Sequence, residues 1–269
     1  MRLAPAVIGT AFAALIALPA LAAEDNPLTA SESWDALKYD VLGDAAPTDG
    51  SAFFTVDAPY RANDAATVPV HIVQTDEAAQ IDSAIVVIDE NPAPVAGTFT
   101  FGAAMHPLDL EIRVRVNQYS NVRVIAETPE GLAMQGRFVK ASGGCSAPAT
   151  SDPEAALAGM GEMRLRSFGA APQMSTPRRE AQIMIRHPNY SGLQRDQITQ
   201  LFVPAHFIDT LEVRQGDELL FTMEGGISIS ENPVFRFSYN DNGAPEIVVK
   251  ATDTEGNSFE QRLAKDEAS

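Results

Sequence analysis

The chain has a single cysteine, Cys145, in 269 residues. One thiol cannot close an intramolecular disulfide, so a disulfide framework, a Cys-x-x-Cys redox pair and a c-type haem motif are all excluded. Histidine is almost as scarce. His71, His106, His187 and His206 are scattered, without the close spacing of a zinc or copper site. Blue copper would need two of them to converge on Cys145 in a rigid cage, and the glycines beside that cysteine oppose one. No metal or cofactor is read from these residues. Basic residues are outnumbered, 19 Lys plus Arg against 36 Asp plus Glu, for a formal net charge of -17. Such a balance argues against nucleic acid and anionic lipid as partners and favours solubility. Also missing are Gly-x-Ser-x-Gly and the glycine motifs of nucleotide enzymes, so no enzyme class is indicated.

No later apolar run is long enough for membrane insertion, but the N-terminus carries a short one. Met1-Arg2 gives a positive start, Ala6 to Leu18 is uncharged and apolar, and Ala20-Leu21-Ala22 supplies a small-x-small cleavage pattern. This reads as a signal peptide over residues 1–23, which places the mature chain in the periplasm.

The remaining length suits two domains, 24–145 and 161–269, around a linker at 146–160 that is rich in Ala, Ser, Pro, Gly and acid. The first half opens with a helix. Thr29 is the expected cap with Glu32 as its capping-box partner, Trp34, Leu37 and Val41 form the stripe, and Gly43 is the stop. The period then changes to two: Leu110, Ile112, Val114 and Val116 alternate with Glu111, Arg113 and Arg115. Similar runs lie at 53–56, 68–73, 85–88, 98–101, 122–125 and 132–139, and in the second half at 163–168, 181–186, 207–214, 218–223, 234–239, 247–251 and near Phe259. Asp241-Asn242-Gly243 and Glu255-Gly256-Asn257 read as hairpin turns. The expected fold class is all-β: two immunoglobulin-like antiparallel sandwiches with one short N-terminal helix, each resting on its own apolar core.

Against this background the segment Ala141-Ser142-Gly143-Gly144-Cys145 stands out. Cysteine is ordinarily a buried, inert small hydrophobe. Here glycines precede it and Ser146-Ala147-Pro148 follow, a composition that reads as a flexible, exposed loop. Cys145 is therefore the expected functional atom, with Ser142, Gly143 and Gly144 as its arm. Arg137 and Lys140 are the nearby cations that would favour a thiolate or a bound anion.

These features together resemble the sulfur-oxidising Sox carrier, with its SoxY and SoxZ subunits fused in one chain. The first half resembles SoxY through the helix around Trp34-Asp35-Ala36-Leu37-Lys38, the strands and Gly143-Gly144-Cys145. The second half resembles SoxZ through Arg186-His187-Pro188-Asn189-Tyr190-Ser191-Gly192-Leu193, Val203-Pro204-Ala205-His206-Phe207-Ile208, Ser230-Glu231-Asn232-Pro233-Val234-Phe235 and Thr252-Asp253-Thr254-Glu255-Gly256. The fused arrangement is most similar to the SoxYZ-like carriers associated with quinoprotein dehydrogenases. The resemblance implies a carrier rather than an enzyme, holding a sulfur-containing intermediate covalently on Cys145. It also implies periplasmic partners: sulfur-oxidising enzymes, or a quinoprotein dehydrogenase with cytochrome c components. An exposed, uncapped thiol would further link two copies as a Cys145 disulfide homodimer. The competing reading is a non-covalent accessory module of a quinoprotein dehydrogenase system, in which Cys145 would be dispensable. His187 and His206 read as structural residues.

Overall fold

A computed structural model describes residues 26–148, 157–168 and 178–265. The expected signal peptide and positions 149–156 of the expected linker lie outside the described residues. One helix, α1 (Glu32–Leu42), precedes the strands. The first half holds β1 (Thr48–Asp49), β2 (Phe54–Asp57), β3 (Val68–Gln74), β4 (Ser83–Ile88), β5 (Val95–Phe101), β6 (Asp109–Val114), β7 (Ser120–Thr128) and β8 (Gly131–Val139). The second holds β9 (Met163–Phe168), β10 (Arg178–Ile185), β11 (Ile208–Gln215), β12 (Glu218–Gly225), β13 (Val234–Asn240), β14 (Glu246–Asp253) and β15 (Ser258–Ala264). Period-two burial explains the strands. In β3, Val68, Val70, Ile72 and Gln74 point inward while Pro69, His71 and Val73 lie on the more exposed face.

The halves are immunoglobulin-like sandwiches joined edge to edge, so that each sheet runs through both. The nine-stranded sheet has the order β1-β8-β7-β4-β5-β12-β11-β14-β15, and the six-stranded sheet β2-β3-β6-β13-β10-β9. Two antiparallel ladders make the seam: Phe101 pairs with Phe221 and Thr98 with Glu224 across β5 and β12, and Ile112 pairs with Phe235 across β6 and β13. Each ladder satisfies backbone groups that an isolated sandwich would expose along a strand edge. Packing follows the same continuity. Phe54, Phe99, Met105 and Leu110 belong to one buried cluster with Leu220, Phe221, Phe235 and Phe237. The expectation of two separate cores is corrected on this point, because edge pairing brings both apolar interiors into one layer.

Helix α1 lies outside that core and covers the outer face of the nine-stranded sheet. Trp34 packs on Val87 and Ile125. The Arg123 guanidinium stacks over the Trp34 ring at 4.6 Å while donating to both Asp89 oxygens at 2.7 and 2.9 Å. The cap is Ser31, not Thr29: Ser31 Oγ accepts the Trp34 N–H at 3.1 Å. Thr29 is instead engaged by Asn121, whose Oδ1 accepts the Thr29 N–H at 2.9 Å. Gly43 ends the helix as expected, at φ 60°.

One expected hairpin is real and one is not. Glu255-Gly256-Asn257 joins the paired β14 and β15. Asp241-Asn242-Gly243 carries the chain from β13 in one sheet to β14 in the other. Its acid is held by Lys265 at 2.6 Å and Arg179 at 2.5 Å, contacts between residues far apart in sequence.

A buried cysteine seat at the seam

Beyond β8 the chain does not swing free. Lys140 N–H donates to Tyr60 O at 2.7 Å, Gly143 N–H to Asn117 O at 2.8 Å and Gly144 N–H to Val116 O at 3.0 Å. Ser146 N–H closes a turn on Gly143 O at 3.2 Å. The two glycines act differently. Gly143 sits at φ 80°, in the left-handed region. Gly144 allows close approach: a Cβ there would lie 2.0 Å from Ala65 O and 2.7 Å from Val116 N. Ser142 is exposed, Gly143 half-buried and Gly144 buried.

Cys145 is 0% exposed, which corrects the expectation of a presented thiol. Composition could not show this, because the cover comes from elsewhere in the chain. Arg115 Nη1 donates to Gly144 O at 3.1 Å, Ser191 Oγ donates to Cys145 O, and Gln194 Nε2 donates to Ala147 O at 3.0 Å. Three carbonyls flanking the thiol are thus held, one from the first half and two from the second. A disulfide between two copies through Cys145 requires this segment to leave its seat.

Burial decides the thiol's chemistry. It pushes Cys145 up to about 11, with the Arg115 charge pulling the other way. A docked thiol is therefore protonated and a poor nucleophile. The cation coupled to it is Arg115, in place of the expected Arg137 and Lys140. Arg137 Nη1 donates to Gly136 O at 2.9 Å, and Lys140 Nζ lies 4.4 Å from the centroid of the Tyr60 ring. Arg115 continues the alternation that marks Glu111 and Arg113 as solvent-facing, yet it is 1% exposed. Nothing local in the sequence marks it. The Gly144 backbone and Asn189 close over it, and Asn189 O accepts from Nη2 at 3.3 Å.

Behind Asn189 stand residues that sequence spacing left scattered. Asn189 N–H donates to His187 Nδ1 at 3.0 Å, so the His187 proton is on Nε2, which faces Asp253 Oδ2 at 3.4 Å. His206 Nε2 meets the same oxygen at 2.8 Å, and Asn257 Nδ2 does so at 2.8 Å. Ligand-type atoms of His187, His206 and Asp253 lie within 4.8 Å of one another. A metal would need the Nε2 lone pair that the His187 proton occupies. The geometry is that of a hydrogen-bonded clamp, which sets the floor under Asn189 and hence under Arg115. Burial lowers His187, reinforced by His206 and opposed by Asp253. Burial alone would raise Asp253, but hydrogen bonds from Asn257 and His206 outweigh it and hold the carboxyl below its usual range.

Around the seat the surface opens into a cleft of about 270 Å³ between Ser146 and Pro148 on one wall and Leu193, Arg195 and Gln200 on the other. The same loop exposes Ile198, Leu201 and Phe202, at 86%, 69% and 57%. Among the described residues no helix is long and apolar enough to cross a membrane.

Comparison with known proteins agrees with this two-part construction. Residues 38–145 match the family model of the sulfur oxidation protein SoxY, and residues 170–264 that of the sulphur oxidation protein SoxZ. No curated protein sequence matches. The solved structure of the sulfur carrier protein SoxY from Chlorobium limicola f thiosulfatophilum is similar at 22% identity, covering 40% of this chain and 94% of that one, with a TM-score of 0.34. The first match ends on Cys145 itself, and the second covers Ser191 and Gln194, two of the three residues that hold its segment down. The chain belongs to the SoxYZ carriers of sulfur oxidation, with its SoxY and SoxZ parts fused in one polypeptide.

Proposed function

We propose that the protein holds a sulfur-containing intermediate covalently on Cys145 and presents it, in the periplasm, to partner oxidising enzymes. One observation carries the reading. The only thiol ends the SoxY match and sits in a seat that both halves build by gripping its backbone carbonyls. A purely structural cysteine needs burial of its side chain. It does not need three side chains from remote segments holding the peptide on either side of it.

The seat gives the carrier two states. Docked, Cys145 is protonated and shielded. Released, the thiol returns toward the ordinary value near 8.5, where a useful fraction is thiolate at neutral pH and can form or exchange sulfur–sulfur bonds. Loading and unloading belong to the released state and storage to the docked one. Because the cysteine is tethered on both sides, a partner must accept it as a loop two strands wide. The quinoprotein-linked setting is the pathway in which we place this carrier, with a quinoprotein dehydrogenase or its cytochrome c components as partners.

A second reading is favoured by the exposed Ile198, Leu201 and Phe202, which suit a non-covalent accessory module. Growth of a Cys145→Ser strain on the pathway's sulfur substrate separates the two. The carrier reading expects growth to fail, and unchanged growth would remove it. Intact mass of the protein from its native compartment should show a sulfur-containing adduct on Cys145.

A further inference from the structure

Two buried donors near the Cys145 segment have no partner among the described residues. Arg115 is 1% exposed and Asn189 0%, yet Arg115 Nε and Asn189 Nδ2 make no hydrogen bond among the described residues. The Arg115 side chain meets the backbone of Asn189, since Nη2 donates to Asn189 O at 3.3 Å, and Nη1 reaches the carbonyl next to the cysteine at 3.1 Å. Arg115 has no carboxylate at ion-pair distance among the described residues. Glu231 and Asp64 act on it only at longer range, and burial pushes Glu231 toward its neutral form. A desolvated guanidinium without a close counter-charge is costly, as is a buried amide N–H donor left without an acceptor. Both costs are relieved by the same thing, an anion with several acceptor oxygens.

We infer that the cysteine seat is an oxyanion site, in which Arg115 Nε and Asn189 Nδ2 receive the negatively charged end group, of the sulfonate class, of a conjugate carried on Cys145. The inference rests on the carrier reading and deepens it. Conjugates ending in a charged oxyanion are retained in the seat, whereas a neutral cap has nothing to offer the two donors. Arginine suits the task because its planar fork stays charged and meets oxyanions with paired N–H groups.

The test uses the full chain with two caps of different charge. Tetrathionate reacts with the Cys145 thiolate to give Cys–S–S–SO₃⁻, releasing thiosulfate. Methyl methanethiosulfonate gives Cys–S–S–CH₃, releasing methanesulfinate. For each cap, the rate of removal by dithiothreitol in denaturant is divided by the rate in native buffer, which cancels the caps' intrinsic reactivities. The anionic cap should be protected about tenfold or more beyond the methyl cap, and Arg115→Gln should erase the difference. Equal or weaker protection of the anionic cap in the wild type overturns the inference, as does a difference that survives in Arg115→Gln. If Arg115→Gln fails to fold, Asn189→Asp takes its place: it keeps the Oδ1 acceptor, replaces the Nδ2 donor by an acceptor and should reduce the difference. The outcome is independent of the native cargo. Failure here with a growth defect in Cys145→Ser removes only the oxyanion site, and unchanged growth in Cys145→Ser removes the carrier reading.

Discussion

Ser191 Oγ donates its hydrogen bond to the backbone carbonyl of Cys145, so the SoxZ-like half of the chain closes the seat of the only thiol in the SoxY-like half. With Gln194 on Ala147 O, this contact sets how often the segment leaves. Native labelling of Cys145 by a maleimide should accordingly be slow relative to labelling in denaturant. Ser191→Ala together with Gln194→Ala should speed the native reaction about tenfold, the scale of two lost hydrogen bonds. Native labelling as fast as the denatured control would mean that the seat is not occupied in solution.

Gly144 is a position of close approach, and a methyl group there collides with Ala65 O. Gly144→Ala should expel the segment without unfolding the sandwiches. We expect a stability loss of about 1–3 kcal/mol and labelling that approaches the denatured rate. Ser142→Ala, at an exposed position of the same segment, is the control and should change neither. Wild-type protection in Gly144→Ala would show that the backbone can yield where the geometry says it cannot.

Cutting the connection between residues 151 and 161 should leave the two halves together. They share two strand ladders and one apolar cluster, the construction of a stable interface, which typically buries at least ~1,200 Å². Limited proteolysis followed by size exclusion should return one complex at micromolar concentration. Separate fragments would show that pairing of β5 with β12 and β6 with β13 cannot hold without the covalent link.

Acid should loosen the clamp beneath the seat. His187 is lowered by burial, so between its folded value and 6.5 the unfolded chain binds more protons than the folded one. Its contribution is therefore complete above pH 6.5 and is lost as pH falls below it. Protonation also removes the Nδ1 acceptor that holds Asn189 N–H. His71, raised by its hydrogen bond to Asp109, works in the opposite direction, but that pair is part-exposed and screened. Urea midpoints should fall from pH 7.5 to pH 5.5, and His187→Gln should flatten the dependence. A midpoint that rises on acidification would show that the His71 pair dominates.

Much of this architecture is legible in the amino-acid order alone. The strand positions follow from alternation, the end of α1 from Gly43, and the β14–β15 hairpin from Glu255-Gly256-Asn257, because each depends on residues within one turn or one pleat of each other. The reason to single out Cys145 is local in the same sense, as the one thiol beside two glycines. Its state is not local. Composition reads residues 142–148 as exposed because they are small and polar, but the tertiary structure supplies their cover from Asn117, Arg115, Ser191 and Gln194. Arg115 shows the same division most sharply. On its own strand it continues a row of solvent-facing charges, and only the arrival of Gly144 and Asn189, 29 and 74 residues away in sequence, buries its guanidinium beside the thiol. Periodicity determines which face of a strand a residue takes. Whether that face meets water depends on contacts between segments that the chain brings together only when the two halves share their sheets.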